Sequence, residues 1–475
     1  MKQSIFVKKY AKAVHDGYAA VFAGAGTSVG AGYLDWKALV KPFASELGLD
    51  IDKETDLVRV AQYYINDKGG NRGEINNEIL NNFSKFVSET ETIDILTRLP
   101  IETYWTTNYD QNIENSLKKN NRKVDVKRRQ INLASNIRDR DAVIYKMHGD
   151  IDLPDEAVIS KDDYELYNET HTLFTTALKG DLVSKTFLFI GFSFEDPNLD
   201  DILGKIKVLL GKDKREHYCI LRKIDKKDFK KQGQKSDEEF TLATLRQQLR
   251  IKDLKRYGIE TILVDSYDEI PIILAEIENI YLNNTIFISG SISSYTENIW
   301  DKQKVDEFCY KLSKKIVKEN HKVVSGFGLG IGSSVINGAL DEIYTNKYKH
   351  INEHLNLYPF PQIEIGQKTM KERWTDNRYN MISDSGICIF IFGNKIEDEK
   401  IINANGMIEE FEIAKKLGKI IIPVGKTGNA AEEIFEKMQA EADLYPYLEN
   451  YWEKLMNEEA PDLISTISEI IQNQQ

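Results

Sequence analysis

The stretch from Val21 to Trp36 reads V-F-A-G-A-G-T-S-V-G-A-G-Y-L-D-W. Its apolar run stops at Gly24-Ala25-Gly26 and continues through Thr27, Ser28, Gly30 and Gly32, the pattern of a buried strand opening into a glycine-rich turn where a ligand can approach the main chain. Such turns hold phosphates, and they also occur as packed strand-turn-helix units with no ligand. A helix is expected before the turn, because Phe6, Val7, Tyr10, Ala11 and Val14 recur at helical spacing between Ser4, a candidate N-cap, and Gly17, a stop. Trp36, Leu39, Val40 and Phe43 predict a second helix after it, with its N–H groups and positive dipole end towards a bound anion.

Composition limits what this turn can serve. The 475 residues carry a formal net charge of -12, with 41% hydrophobic and 29% charged residues. That is ample apolar content for a sizeable core, and the length is read as two large α/β domains. The acidic balance argues against a phosphate-tracking surface, so no nucleic-acid partner is expected. Cys219, Cys309 and Cys388 are far apart and form no C-x-x-C pair, which points to a reducing compartment, excludes a four-cysteine zinc ribbon and leaves no metal site expected. Lysines interrupt the apolar residues of the first twelve positions, and no apolar run approaches the roughly 18 residues that span a bilayer. A cytoplasmic protein with no membrane partner is expected.

Three further stretches repeat the pattern of a strand that ends in polar or small residues. They are Tyr104 to Asp110 (Y-W-T-T-N-Y-D), Val143 to Asp150 (V-I-Y-K-M-H-G-D) and Thr186 to Ser193 (T-F-L-F-I-G-F-S). In an open parallel sheet the carboxyl ends of strands form the ligand crevice, so Asn108, Asp110 and His148 can converge beside the glycine turn. Taken alone, an Asn-x-Asp is equally a turn or a cap, and a single histidine equally a structural one.

Gly24-Ala25-Gly26-Thr27-Ser28 through Lys37, then Thr106 to Asp110, His148-Gly149 and Gly191-Phe192-Ser193, resemble the ordered motifs of the sirtuin superfamily over roughly the first 280 residues. The resemblance implies a Rossmann-like NAD site with Gly24, Ala25, Gly26, Thr27, Ser28, Asp35, Asp110, Gly191 and Ser193 around the cofactor. Asn108 would position a ribose hydroxyl or the attacking water, His148 would be the general base, and Asp110 would lie near the nicotinamide carboxamide. The departures are the lack of any cysteine between His148 and Cys219, where sirtuin deacylases carry a zinc module, and Leu34 and Lys37 in place of a proline and an arginine. They set protein deacylation in doubt and leave cleavage of the nicotinamide-ribose bond, with water as acceptor and ADP-ribose and nicotinamide as products. A deacylase and a non-catalytic nucleotide-binding module remain the alternatives.

The lysine- and aspartate-rich run from Arg222 to Glu239 reads as a solvated loop or helix face, and Leu242, Leu245 and Leu249 as one face of a helix of the first domain. After a strand at 260–264 and a helix at 271–281, the boundary is placed at Asn283-Asn284, giving domains 1–283 and 284–475. The second half starts with a strand at Thr285 to Ser289 leading to Gly290-Ser291. A second glycine loop follows the strand at 322–325, with Gly328, Gly330, Gly332 and Ser333 arranged so that successive N–H groups can meet an anion. Arg378 on a helix, Lys395 after the strand at 387–392, and Gly406 and Glu410 on the next helix are candidates to balance phosphates and to bind a ribose or base.

These features resemble the SLOG superfamily of nucleotide-binding Rossmann-like domains. Overall, the expected fold is α/β, with two Rossmann-like domains: a sirtuin-like parallel-sheet domain without a zinc module, then a SLOG-like domain. The succession resembles, over essentially the full length, the NAD-consuming effectors of the Thoeris antiphage defence system. That resemblance implies a homo-oligomer, with a tetramer favoured. It also implies a cyclic ADP-ribose isomer, made by a TIR-domain partner protein, as the activator in the second pocket, and NAD depletion as the outcome.

Overall fold

The computed structural model describes residues 1–85, 90–192, 194, 197–211, 214–229, 235–295, 299–346, 350–363 and 367–474. The chain divides into two compact units, Met1–Glu278 and Asn279–Gln475.

The first unit is built on a seven-stranded sheet in the order β3-β4-β2-β1-β5-β6-β7. Its strands are β1 (Ala19–Ala23), β2 (Thr103–Thr106), β3 (Val124–Lys127), β4 (Ala142–Lys146), β5 (Thr186–Ile190), β6 (His217–Arg222) and β7 (Ile259–Val264). Every pairing is parallel. All residues of β1 and β2 are buried, so both faces of the central strands are covered, which is why they read as unbroken apolar or β-branched runs. On one face Phe22, Trp105, Phe187 and Phe189 share a core with Tyr167 and Phe174. Trp105 stacks on Tyr145 at 4.2 Å between ring centres, and its indole N–H donates to Asp181 at 2.8 Å.

The second unit has a five-stranded parallel sheet, β10-β9-β8-β11-β14. These strands are β8 (Thr285–Ser291), β9 (Lys322–Ser325), β10 (Leu355–Leu357), β11 (Ile387–Phe392) and β14 (Ile420–Pro423). A separate antiparallel hairpin, β12 (Asn394–Glu397) with β13 (Lys400–Asn403), follows β11. Both units are thus α/β with parallel sheets, as expected from the strand runs.

Local details differ from the expectations. The first helix is Gln3–His15 with Lys2 at its N-cap, so Ser4 lies inside it and caps nothing. One turn of helix, Gly26–Val29, follows the first glycine turn directly. The helix expected there is Trp36–Glu46, whose N-cap, Asp35, accepts from Ala38 N at 2.7 Å. Leu242, Leu245 and Leu249 lie on one long helix, Lys235–Arg256, as their spacing predicts, with their side chains about half exposed. Of the charged run before them, residues 230–234 lie outside the described residues. The antiparallel hairpin at 394–403, which follows the strand carrying Lys395's loop, has no counterpart in the sequence reading.

His217, at the start of β6, is buried, and its Nδ1 accepts from Phe187 N at 3.2 Å, which requires that nitrogen to be unprotonated. Burial, reinforced by Arg215, pushes the ring down from 6.5 to about 3. Below pH 6.5 the unfolded chain therefore takes up a proton that the native chain refuses, so this group's contribution to stability falls as pH drops from 6.5 towards 3. The loss is about 1.4 kcal/mol per pH unit. In urea denaturation, His217→Gln should lose about 2 kcal/mol less stability than the unmodified protein between pH 6.5 and pH 5; an equal loss in both would refute this origin of acid sensitivity.

Candidate functional site

The parallel register brings the last residues of four strands into one row, with Lys146 beside Thr106, Thr106 beside Ala23 and Ala23 beside Ile190. The four polar stretches leave the sheet from this row, side by side. Their convergence at the carboxyl edge follows from the register and from strands running out to either side of β1 and β2.

The turn after β1 and the turn after β5 meet main chain to main chain. Gly24 N donates to Ile190 O and Gly26 N to Gly191 O, both at 2.9 Å. A Cβ on Gly24 would stand 2.4 Å from Gly191 O, and one on Gly191, whose φ is +62°, would stand 2.4 Å from Thr27 N. The glycines are therefore needed for this contact whether or not a phosphate is bound. Thr27 N and Ser28 N donate to Gly24 O and Ala25 O, so in this conformation the N–H groups of Gly24, Gly26, Thr27 and Ser28 are committed within the chain.

Asn108 lies across that turn. Its Nδ2 donates to Gly24 O at 3.1 Å and to Ser28 Oγ at 3.2 Å, while its main-chain N–H donates to Thr106 Oγ1 at 3.0 Å. Among the described residues its buried Oδ1 has no hydrogen-bond partner, which leaves an acceptor suited to a hydroxyl or water donor. Asp110 is buried, and its Oδ1 caps the next helix by accepting from Asn112 N at 3.0 Å. Ala25, Ser28, Asp35, Trp36, Asn108 and Asp110 share the wall of a cavity of about 50 Å³.

His148 is not among those walls. It is buried within the segment that follows β4, with its carbonyl accepting from Val158 N at 2.9 Å and its ring 5.5 Å from Tyr164 and 6.0 Å from Tyr167. Tyr164 is in turn 6.3 Å from Trp36, so an aromatic row joins His148 to the cavity wall. Gly191 closes the row of loops, and Ser193 lies outside the described residues. A far larger groove, about 1010 Å³, runs beside the ends of β6 and β7 and the helix Lys235–Arg256, and no described residue of the expected NAD site lines it.

Beneath the site is an ionic cluster that the sequence reading missed. Lys146, fully buried, lies 3.3 Å from Glu114 and 3.2 Å from Asp150, both also buried. Burial opposes the ammonium's charge, but Glu114, Asp150 and Asp110 outweigh it and hold Lys146 above its ordinary range. Burial lifts the Glu114 carboxyl above its ordinary range against the pull of Lys146. Burial also works against an ionised Asp150, yet Lys146, the Asp152 N–H and Arg128 hold that carboxyl low. The only signal in the sequence was a lysine closing an apolar strand, which a strand end in solvent would explain equally well.

In the second unit the two glycine loops again meet through main chain. Ile292 N donates to Leu329 O at 2.7 Å, and a Cβ on Gly328 would stand 2.0 Å from Gly290 O. Gly290 and Ser291 end β8, Gly328 and Gly330 lie in the loop after β9, and Gly332 and Ser333 open the helix Gly332–Thr345. Glu410, buried on the helix Asn405–Lys416, accepts from Ser289 Oγ at 2.6 Å and lies 3.4 Å from Arg378 Nε. Burial raises the Glu410 carboxyl, with Ser289 and Arg378 pulling it back. Arg378 also pairs with Glu409 at 2.9 Å and lies 5.0 Å from the Phe360 ring, and a Cβ on Gly406 would stand 2.5 Å from its Nη2. Arg378, Gly406 and Glu410 are thus together, whereas Lys395 sits on the hairpin and pairs with Glu397. Asn394, unremarked in the sequence, fixes the loop after β8 by accepting from Ser293 N at 2.8 Å and Ser294 N at 3.0 Å.

Among the described residues no group of three or more His, Cys, Asp or Glu side chains is arranged to hold a metal ion, and no helix is long and apolar enough to cross a membrane.

Comparison with known proteins matches residues 102–245 to the SIR2-like domain and residues 269–474 to the Sir2- and TIR-associating SLOG family. The NAD(+) hydrolase ThsA of Bacillus cereus (strain MSX-D12) is 44% identical over 475 residues, covering 98% of both chains. That of Cytobacillus dafuensis is 44% identical over 447 residues, covering 93% of this chain and 90% of its own. That of Acinetobacter baumannii (strain 532279) is 41% identical over 480 residues, covering 99% of this chain and 98% of its own. With both domains matched in order and near-complete coverage on each side, the chain belongs to the ThsA family.

Proposed function

We infer that the protein hydrolyses NAD to ADP-ribose and nicotinamide at the carboxyl edge of its first sheet. The observation that carries this reading is the buried Oδ1 of Asn108, without a hydrogen-bond partner among the described residues and set over the glycine turn in a cavity it shares with Asp110 and Asp35. Kinship with proteins named NAD(+) hydrolase supports it.

In this mechanism the bond between the ribose C1′ and the nicotinamide nitrogen breaks with its electron pair going to nicotinamide, and positive charge develops on the ribose. Asp110 and Asp35 stabilise that charge. Asn108 accepts a hydrogen bond from a ribose hydroxyl or the attacking water, and His148 takes the water's proton as the new C–O bond forms. The glycine turn at 24–28 with Gly191 and Ser193 holds the rest of the cofactor.

A signal with different affinity for inactive and active states would control NAD turnover. In our reading the signal is a cyclic ADP-ribose isomer made by a TIR-domain partner and bound by Gly290, Ser291, Gly328, Gly330, Gly332, Ser333, Arg378, Lys395, Gly406 and Glu410. A homo-oligomer, tetramer favoured, would then deplete NAD as an antiphage response. The matched family's description as TIR-associating supports the partner. The buried pairing of Arg378 with Glu410 supports the pocket, since it keeps a guanidinium and a carboxyl beside two glycine loops.

The full-length protein should release nicotinamide from NAD when given one of a panel of cyclic ADP-ribose isomers. Asn108→Ala or His148→Ala should lower that rate at least about 100-fold; an unchanged rate in either folded variant would refute the assigned chemistry. Arg378→Ala should raise the isomer concentration needed for half-activation at least about tenfold, through loss of a charge-assisted contact. Activation at the same concentration as the unmodified protein would remove Arg378 from the pocket.

A further inference from the structure

We propose that Lys146 is a positioning residue of this reaction, its buried ammonium stapling the loop that carries Asn108 to the loop that carries His148. The proposal rests on the hydrolase reading for its catalytic consequence, but the staple itself rests on contacts. Lys146 Nζ donates to the carbonyl oxygens of Tyr109, at 3.4 Å, and Asp110, both in the loop just after Asn108. It pairs with Asp150, two residues after His148, and with Glu114 on the helix into which the Asn108 loop runs. One cation therefore touches both loops and the helix beyond.

Neutral bonds also join the loops, such as Ile151 N to Tyr109 O at 2.9 Å. Lys146 differs because it carries the charge that lets two buried carboxylates sit between those loops. Asp150 has a second cation, Arg128, at 3.1 Å, and Gln111 donates to it at 3.0 Å. Among the described residues Glu114 Oε1 has no hydrogen-bond partner, only the ion pair with Lys146. Without the ammonium, Asp150 and Asp110 would lose the charge that faces them and the Glu114 carboxyl, already lifted by burial, would take up a proton, so the two loops would lose their shared anchor. Catalysis by held groups is steep in distance, so a displacement of about 1 Å is enough to cost on the order of 100-fold in rate.

A purely structural role would lower stability without a specific effect on turnover, and charge-balanced variants separate the two. Lys146→Met combined with Glu114→Gln removes one charge of each sign and leaves Asp150 with Arg128. In the activated full-length protein this variant should melt near the parent temperature, lose at least about 100-fold in kcat for nicotinamide release and keep KM for NAD within about threefold. Asp150→Asn, which keeps shape and weakens one arm of the staple, should lose about tenfold in kcat at the same KM. A kcat within about threefold of the parent in either folded variant overturns the proposal; if the double variant does not fold, Asp150→Asn decides. A parent protein that releases no nicotinamide would refute the hydrolase reading instead. The staple would then be read from amide hydrogen exchange at 107–112 and 147–151, with faster exchange in Asp150→Asn expected and unchanged protection overturning it.

Discussion

At the carboxyl edge of the first sheet, the turn after β1 lies so close to the turn after β5 that neither Gly24 nor Gly191 has room for a Cβ. Asn108 then spans the joined turns by donating to Gly24 O and Ser28 Oγ, so the site inherits its geometry from main-chain contact. The second unit uses the same device, with Gly328 against Gly290 and Gly330 against Ile292 O. In both units glycine-rich loops are first a solution to close packing, and only through that packing an edge where polar groups can gather.

Charge sets the second constraint. A lysine with no exposed side chain would be untenable alone, since taking an ion out of water costs several kcal/mol even after relaxation. Lys146 is tolerated because Glu114 and Asp150 are buried with it, and removing one member of such a set typically costs about 3–5 kcal/mol. The cluster ties the end of β4 to the segment after β2, which makes the spacing of the two loops an electrostatic property as much as a packing one.

The sheets were legible because their strands are buried on both faces and therefore read as continuous apolar runs ending in glycine or polar residues. The four stretches that form the row at Lys146, Thr106, Ala23 and Ile190 could be found for the same reason. Helix ends were less legible: Ser4 has a capping side chain but the helix starts before it, while Asp35 caps the helix that the apolar spacing correctly located. The leucine spacing of Lys235–Arg256 gave a helix but not its environment, because periodicity records which residues share a face and not what covers it. The Lys146 cluster was invisible for a different reason. Its members lie at positions 114, 128, 146 and 150 on separate elements, and only tertiary contact shows that the lysine is inside. Likewise the hairpin at 394–403 is set by Asn394 accepting from a loop about a hundred residues earlier.

In the reading proposed above, this edge breaks the nicotinamide-ribose bond with water as the acceptor. The most direct test is to quantify both products when the activated full-length protein consumes NAD with no acylated peptide present. One nicotinamide and one ADP-ribose for each NAD lost is the result the account predicts. Nicotinamide release that requires an acyl-lysine peptide, or no release with any of the cyclic ADP-ribose isomers, would contradict it.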